Sequence, residues 1–286
     1  MVSVLASNGR QNTIAGPGVS RRNAMPFVVS LMQNKGGCGK TSFATTLYAT
    51  AGSKNVSVGI ADLDPQGNAT AWCLTRARYL ELPGQVGAEA LCKPDGELAG
   101  ARFPAKQCAE LLARHAVPCT RIRGGVVLPA NPQMDRSGWR GVDFENVAVD
   151  TLVVDTPPQL NSSMVRSIVA QSDAIVVPVQ PEPYCVQNIA ELLAEIANGG
   201  GGEMIDTGRV RLVFNMVQKC VTHAAWSAVV RANWGALVSE VSVPRAMAWA
   251  DVANGGTPWN PKSKPAKIAT DLWADIHNNT QRRAAA

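Results

Sequence analysis

The chain lacks any apolar run close to the roughly 20 residues that a membrane-spanning helix requires, which argues against a helical span. It also lacks a CxxC pair. Its seven cysteines (Cys38, Cys73, Cys92, Cys108, Cys119, Cys185 and Cys220) are odd in number and scattered, a pattern that fits reduced thiols better than a disulfide framework. Met1–Ala24 lacks a long apolar run, so no signal peptide is expected there, and no internal repeat is visible. Net charge is modest, +5 over 286 residues, but uneven. From Arg209 onward ten basic residues face four acidic ones, so the last quarter carries +6 and everything before it −1. Such a skew suits a polyanionic partner.

What is present is an alternation of short apolar runs and amphipathic stretches. Residues 27–32 form a short apolar run, broken only by Ser30, of the kind found in a buried parallel strand, and Val56–Ala61, Val126–Leu128, Val149–Val154, Ala174–Val179 and Val210–Phe214 repeat it. Helices are predicted over Lys40–Ala51, Pro104–Ala116, Ser162–Gln171, Val186–Ala197, Ala224–Leu237 and Pro265–Asn278, with a flexible turn at Gly199–Gly202. Strand, loop, helix, strand from residue 27 to 61 is a βαβ unit, so the fold class is α/β, a doubly wound and mostly parallel sheet flanked by helices. Residues 25–286 are expected to form one domain, with 1–24 a disordered extension and residues 70–123 a variable region that the pattern does not assign.

The chemistry concentrates after the first strand, in Lys35-Gly36-Gly37-Cys38-Gly39-Lys40-Thr41. Glycines let a loop wrap a phosphate with successive N–H groups pointing inward, and the following helix N-terminus adds a favourable field. Lys40 is suited to β- and γ-phosphates, Thr41 to Mg²⁺ through its hydroxyl, and Ser42 extends the cradle. Asn34 stands where the strict G-x-x-x-x-G-K-[ST] motif has its first glycine. Three further carboxylates follow apolar strands. Asp62 and Asp155 are candidate ligands of the metal shell, and Asp64 is placed two residues beyond Asp62.

Asn34 through Thr41 resembles the deviant Walker A loop of the ParA/MinD ATPases, a P-loop family. The likeness continues through Asp62-Leu63-Asp64-Pro65-Gln66-Gly67-Asn68-Ala69-Thr70, through Val153 to Pro158, through Ser172 to Pro181, and from Val243 to Pro258. The resemblance implies that the chain binds and slowly hydrolyses ATP with Mg²⁺. Lys35 would reach the partner's nucleotide in an ATP-sandwich homodimer, and Asp64 would orient the attacking water. Asn215, Pro244 and Arg245 would lie along the base, Asn215 alternatively serving as a simple turn residue. It further implies a cytoplasmic, nucleoid-associated protein. Such a protein binds non-specific DNA through basic C-terminal residues and moves plasmid or chromosomal DNA with a centromere-binding, ParB-like adaptor. The basic candidates are Arg209, Arg211, Lys219, Arg231, Arg245, Lys262, Lys264 and Lys267. Too few residues precede the first strand for an N-terminal helix-turn-helix.

Rival uses of the same engine are positioning of a protein cargo and MinD-like membrane association. The first is indistinguishable in the residues. The second needs a basic amphipathic C-terminal helix. Ile268, Leu272 and Ile276 do recur at helical spacing, yet Asp271 and Asp275 share that helix, so a docked helix is the better reading. Relatedness to the nitrogenase iron protein would require a cluster-binding cysteine pattern, which is missing. A tyrosine-phosphorylating role would require C-terminal tyrosines, and the three present are Tyr48, Tyr79 and Tyr184. Packing is the expected role of the tryptophans.

Overall fold

The computed structural model describes residues 26–54, 56–74, 92–93, 116–130, 141–144, 147–246 and 262–284. Its strands are β1 (Phe27–Leu31), β2 (Val58–Asp62), β3 (Cys92–Lys93), β4 (Val117–Pro118), β5 (Val126–Leu128), β6 (Gly141–Val142), β7 (Thr151–Asp155), β8 (Ala174–Val179) and β9 (Val210–Phe214). Seven of them form one sheet in the order β4-β5-β2-β7-β1-β8-β9. All its pairings are parallel except β4 with β5. β3 and β6 make a separate antiparallel pair.

The helices are α1 (Lys40–Gly52), α2 (Asn68–Cys73), α3 (Ser162–Gln171), α4 (Pro183–Ile196), α5 (Gly202–Asp206), α6 (Val221–Trp234) and α7 (Lys264–Ala284). They cover both faces of the sheet. Alternate strand residues point to opposite sides, so Val28, Leu152 and Ile175 pack with Met164 and Ile168 of α3 and Ile189 of α4. Val29, Val153 and Val176 pack with Phe43 and Leu47 of α1 and Leu272, Trp273 and Ile276 of α7. Because both faces are covered, every residue of β2, β7 and β9 is buried, polar ones included.

Several boundaries differ from the pattern reading. β2 starts two residues later than Val56 and ends on Asp62, because Val56 lies exposed before the strand. α4 begins at Pro183, a first-turn proline that needs no helical partner for its nitrogen. The glycine segment expected as a flexible turn is a π-type turn over Ala197–Gly201, with Gly200 at φ 94°, running into α5. α6 starts three residues before Ala224. The helix expected over Pro104–Ala116 lies outside the described residues save for Ala116, as do residues 1–24 and most of 70–123.

α7 settles the reading of the C-terminal helix. Leu272, Trp273 and Ile276 are buried against α1 and β1, and Trp273 meets Phe27 edge-on at 6.3 Å. Burial of each such side chain contributes roughly 1.5–3 kcal/mol, which docks this apolar face. No helix among the described residues is long and apolar enough to cross a membrane.

Candidate nucleotide-binding site

The register of the sheet assembles the site. Leu31, the last residue of β1, is level with Asp155 at the end of β7, and Asp155 is level with Asp62 at the end of β2. The glycine loop leaves β1 here, where chain connections diverge to either side of the sheet, the usual position of a ligand crevice in such folds. Thr156 ties the two central ends together by donating to the Leu31 carbonyl at 2.5 Å.

The loop enters α1 through Gly39, which sits at φ 98° as the residue before the helix. Only glycine adopts that conformation without strain. Space demands it too: a Cβ on Gly39 would fall 2.2 Å from Asn215 Nδ2. Gly37 is likewise left-handed, at φ 76°, and neither Gly36 nor Gly37 has any atom within 4 Å of where a Cβ would be. The loop thus presents open backbone at the head of α1, whose first turn has no acidic residue and no side-chain cap. These N–H groups suit an anion.

Lys40 is buried, and its Nζ donates to the Gln33 carbonyl at 3.0 Å and reaches the Lys35 carbonyl at 3.5 Å. It therefore lies across its own loop, needing only a local swing to meet a phosphate. Lys35 is half-buried at the rim, its Nζ 3.4 Å from Cys185 Sγ on α4. Cys38 is buried and donates its thiol hydrogen to the Lys35 carbonyl at 3.1 Å. Sequence reasoning missed Gln33. Its side chain donates to Pro178 and accepts from Asn34, so it fixes the carbonyl that Lys40 uses.

Asn215, at the end of β9, is buried. Its amide donates to the Cys38 carbonyl at 2.8 Å, and its Oδ1 accepts from the Met216 N–H at 2.9 Å. These bonds brace the glycine loop, a role distinct from both the base contact and the simple turn that the sequence offered for this residue. Pro244 and Arg245 lie alongside, since Val217 bonds the Val243 carbonyl and Arg245 bonds the Val217 carbonyl.

The carboxylates are under electrostatic stress. Asp155 is buried and neither carboxylate oxygen has a hydrogen-bond partner. Burial, then the charge of Asp62, holds its pKa well above the ordinary carboxylate range, against the opposing pull of the Thr41 hydroxyl and Lys40. Asp62, also buried, is raised to about 6, chiefly by burial. Its Oδ2 accepts from the Thr70 N–H and hydroxyl, both at 2.8 Å, and its Oδ1 accepts from the Asp64 N–H at 3.2 Å. Asp64 is half-buried, with one oxygen accepting from Gln66. Two buried carboxylates beside a threonine hydroxyl, one with both oxygens orphaned, fit a hard divalent cation, whose preferred ligands are oxygens.

The basic candidates do not form one surface. Arg211 is corrected outright: it is buried within β9, paired with Asp275 of α7 at 3.3 Å and donating to the Ala236 and Val238 carbonyls. A strand buried on both faces leaves it no route to a surface. Arg209 precedes β9 at the opposite edge from the glycine loop, 3.9 Å from Glu203. Arg231 is exposed, with its guanidinium 5.3 Å from the Phe214 ring centroid. Lys219, Arg245, Lys262, Lys264 and Lys267 are exposed. The later turns of α7 meet Phe27 at the start of β1, so its first turns, with Lys264 and Lys267, lie toward the edge that carries the loop.

Residues 29–246 match the family model described as the CobQ/CobB/MinD/ParA nucleotide binding domain. The chain is 29% identical over 238 residues to the chromosome-partitioning ATPase Soj of Thermus thermophilus, covering 80% of this chain and 85% of that protein. It is 22% identical over 272 residues to the sporulation initiation inhibitor protein Soj of Bacillus subtilis, covering 89% and 100%. Among solved structures, a plasmid partition protein from Borrelia burgdorferi bound to AMPPNP superposes with a TM-score of 0.61 at 15% identity, over 88% of this chain and 99% of that one.

Proposed function

The chain belongs to the CobQ/CobB/MinD/ParA nucleotide-binding family, and from that premise we propose that it is a slow ParA-type ATPase acting in DNA segregation. Its ATP-bound form is a sandwich dimer that holds DNA without regard to sequence and moves plasmid or chromosomal DNA with a centromere-binding, ParB-like adaptor. The observation carrying this reading is the convergence of Lys40, Thr41 and the orphaned Asp155 around an open glycine loop whose rim bears Lys35. The name borne by the Thermus thermophilus relative, a chromosome-partitioning ATPase, supports the task.

In this mechanism the loop amides and Lys40 bind the triphosphate once Lys40 leaves the Gln33 carbonyl. Thr41, Asp62 and Asp155 would hold Mg²⁺, which would supply charge neutralisation at the phosphates when bound. Asp64 keeps one oxygen to orient water. Lys35 must leave Cys185 to reach a partner's nucleotide, so dimer formation and the exposure of this lysine are one event. Loss of the γ-phosphate reverses it. The exposed basic residues Lys219, Arg231, Arg245, Lys262, Lys264 and Lys267 would supply salt-sensitive contacts to DNA phosphates.

The test compares wild type with Lys40→Ala, Lys35→Ala and Asp64→Ala, each with ATP, ADP or no nucleotide, by light scattering and by DNA binding across a salt series. Lys40→Ala should weaken nucleotide binding by about 100-fold or more. Lys35→Ala should bind ATP yet remain monomeric, and Asp64→Ala should hold ATP and stay on DNA. A wild-type protein that neither dimerises nor binds DNA with ATP would sink the proposal.

A further inference from the structure

The far end of α2 carries a second cluster that phosphate chemistry does not use. The Cys73 carbonyl accepts from the Thr120 N–H at 3.0 Å, from the Thr120 hydroxyl at 2.9 Å and from the Cys119 thiol at 3.5 Å. Arg121 donates to the Trp72 carbonyl and lies 5.4 Å from the centroid of the Trp72 ring. The last turn of α2 is thereby fastened to the segment leading from β4 to β5, and the Cys119 thiol lies beside Cys73, donating to its carbonyl.

The two thiols are unlike. Cys73 is fully buried, whereas Cys119 is partly open to solvent. Burial pushes the Cys73 thiol well above its ordinary range. Cys119 is drawn down to about 6, first by the Cys73 thiol and then, against burial, by the backbone at Arg121 and Ile122 and by the Tyr48 hydroxyl. That hydroxyl is buried with no hydrogen-bond partner of its own. An unsatisfied buried donor costs roughly 1–3 kcal/mol, a cost that a thiolate at Cys119 would relieve. Gly125 makes the room: a Cβ there would lie 2.3 Å from the Tyr48 oxygen. A partly exposed thiol among donors, beside a buried second cysteine whose carbonyl it meets at 3.5 Å, is the arrangement of a reactive cysteine with its resolving partner.

We propose that Cys119 and Cys73 are a redox-active dithiol, a modification site for hydroperoxides. The Cys119 thiolate attacks the terminal oxygen of hydrogen peroxide. The O–O bond breaks, hydroxide leaves and takes a proton to become water, and Cys119 becomes a sulfenic acid as the peroxide is reduced. Cys73 then gives up its proton and attacks the Cys119 sulfur. The S–O bond breaks, a second water departs, and a Cys73–Cys119 disulfide remains. One peroxide and two thiols yield one disulfide and two waters.

The experiment treats reduced full-length protein with graded hydrogen peroxide at neutral pH, blocks residual thiols with iodoacetamide and maps digests by mass spectrometry. A Cys73–Cys119 linked peptide, two hydrogens lighter and reversed by dithiothreitol, should form before any link involving Cys38, Cys185 or Cys220. Cys73→Ser should stop at a Cys119 sulfenic acid that dimedone traps, and Cys119→Ser should give neither product. Circular dichroism and thermal melting check that the variants fold. An arm without substitutions compares alkylation of wild-type protein at pH 7, where Cys119 should react roughly 5-fold faster than the exposed Cys220. Linkage of Cys119 to any other cysteine, equal alkylation of Cys119 and Cys220, or a folded Cys73→Ser protein without a dimedone adduct would overturn the proposal.

Discussion

Residues 62 to 73 have different chemistry at their two ends. At one end Asp62 titrates near 6, and at the other Cys119, held against Cys73, does the same. The two values are reached from opposite directions. Burial drives the carboxylate up, because its surroundings offer too little to stabilise a charge, and hydrogen-bond donors draw the thiol down, because its surroundings already welcome one. A raised carboxylate beside another with orphaned oxygens is a site incomplete without a cation. A lowered thiol beside a second thiol is a site complete in itself and ready to react. The direction of the shift therefore distinguishes a binding site from a reactive one where the pKa itself does not.

The comparison is broken or sharpened most strongly by pH. Asp62 has a folded-state pKa above its ordinary value, so its contribution to stability is full below about pH 4 and is lost as pH rises through about 6. Moving from 3.8 to about 6 costs the nucleotide-free protein of order 3 kcal/mol across that window. Asp155, also raised by burial and by the charge of Asp62, adds a loss of the same sign. Cys119 has the opposite sign: its contribution is present above the ordinary thiol range and is lost as pH falls through about 6. Urea denaturation without nucleotide should show stability falling from pH 4 to 6.5, and Mg²⁺ with a non-hydrolysable ATP analogue should flatten that slope. A slope indifferent to Mg²⁺ and nucleotide would mean that Asp62 and Asp155 hold no cation.

The oxygen end was legible in the sequence and the sulfur end was not. Lys40, Asp62 and Asp155 each follow an apolar strand closely, so a strand-by-strand reading brings them to one edge once the sheet is parallel. The bracing by Asn215 and the Lys35–Cys185 contact depend on chain crossings that no local pattern records. α2 has six residues, too few for a helical period, and β4 has two, one of them Pro118. Cys73 and Cys119 meet across 46 residues, most of which lie in the stretch without periodicity. Arg211 was misread because basic residues were counted by region. Its setting in the apolar run Val-Arg-Leu-Val-Phe was the available sign that its charge would be met inside, by Asp275.

A smaller effect tests whether the two ends act separately. The Thr70 hydroxyl donates to Asp62 and accepts from the Ala130 N–H, each at 2.8 Å and each buried. Thr70→Ala leaves the Ala130 N–H without its acceptor and Asp62 with one donor fewer, a loss of roughly 1–3 kcal/mol. Thr70→Ser should restore most of it. Alkylation of Cys119 should not change, because Cys73 lies three residues beyond Thr70 and the other groups around the thiol, at Tyr48, Arg121 and Ile122, lie outside α2. If Thr70→Ala were as stable as wild type, the clasp at Asp62 would contribute nothing. If it changed the Cys119 rate, the ends would be coupled through the helix.

The smallest effect isolates the sulfur end. Tyr48→Phe deletes a buried hydroxyl that has no hydrogen-bond partner, leaving the ring packed edge-on to Trp72 at 6.5 Å. Removing an unsatisfied polar atom should leave stability within about 1 kcal/mol of wild type, with any change toward greater stability. The same atom stabilises the Cys119 thiolate, so its loss should raise the thiol's pKa and slow alkylation between pH 6 and 7 by roughly 2- to 3-fold. A purely structural hydroxyl would move the melting curve and not the pH profile of labelling. A chemical one should do the reverse, since on this reading the donor that stands uncompensated beside the protonated thiol is used by the thiolate.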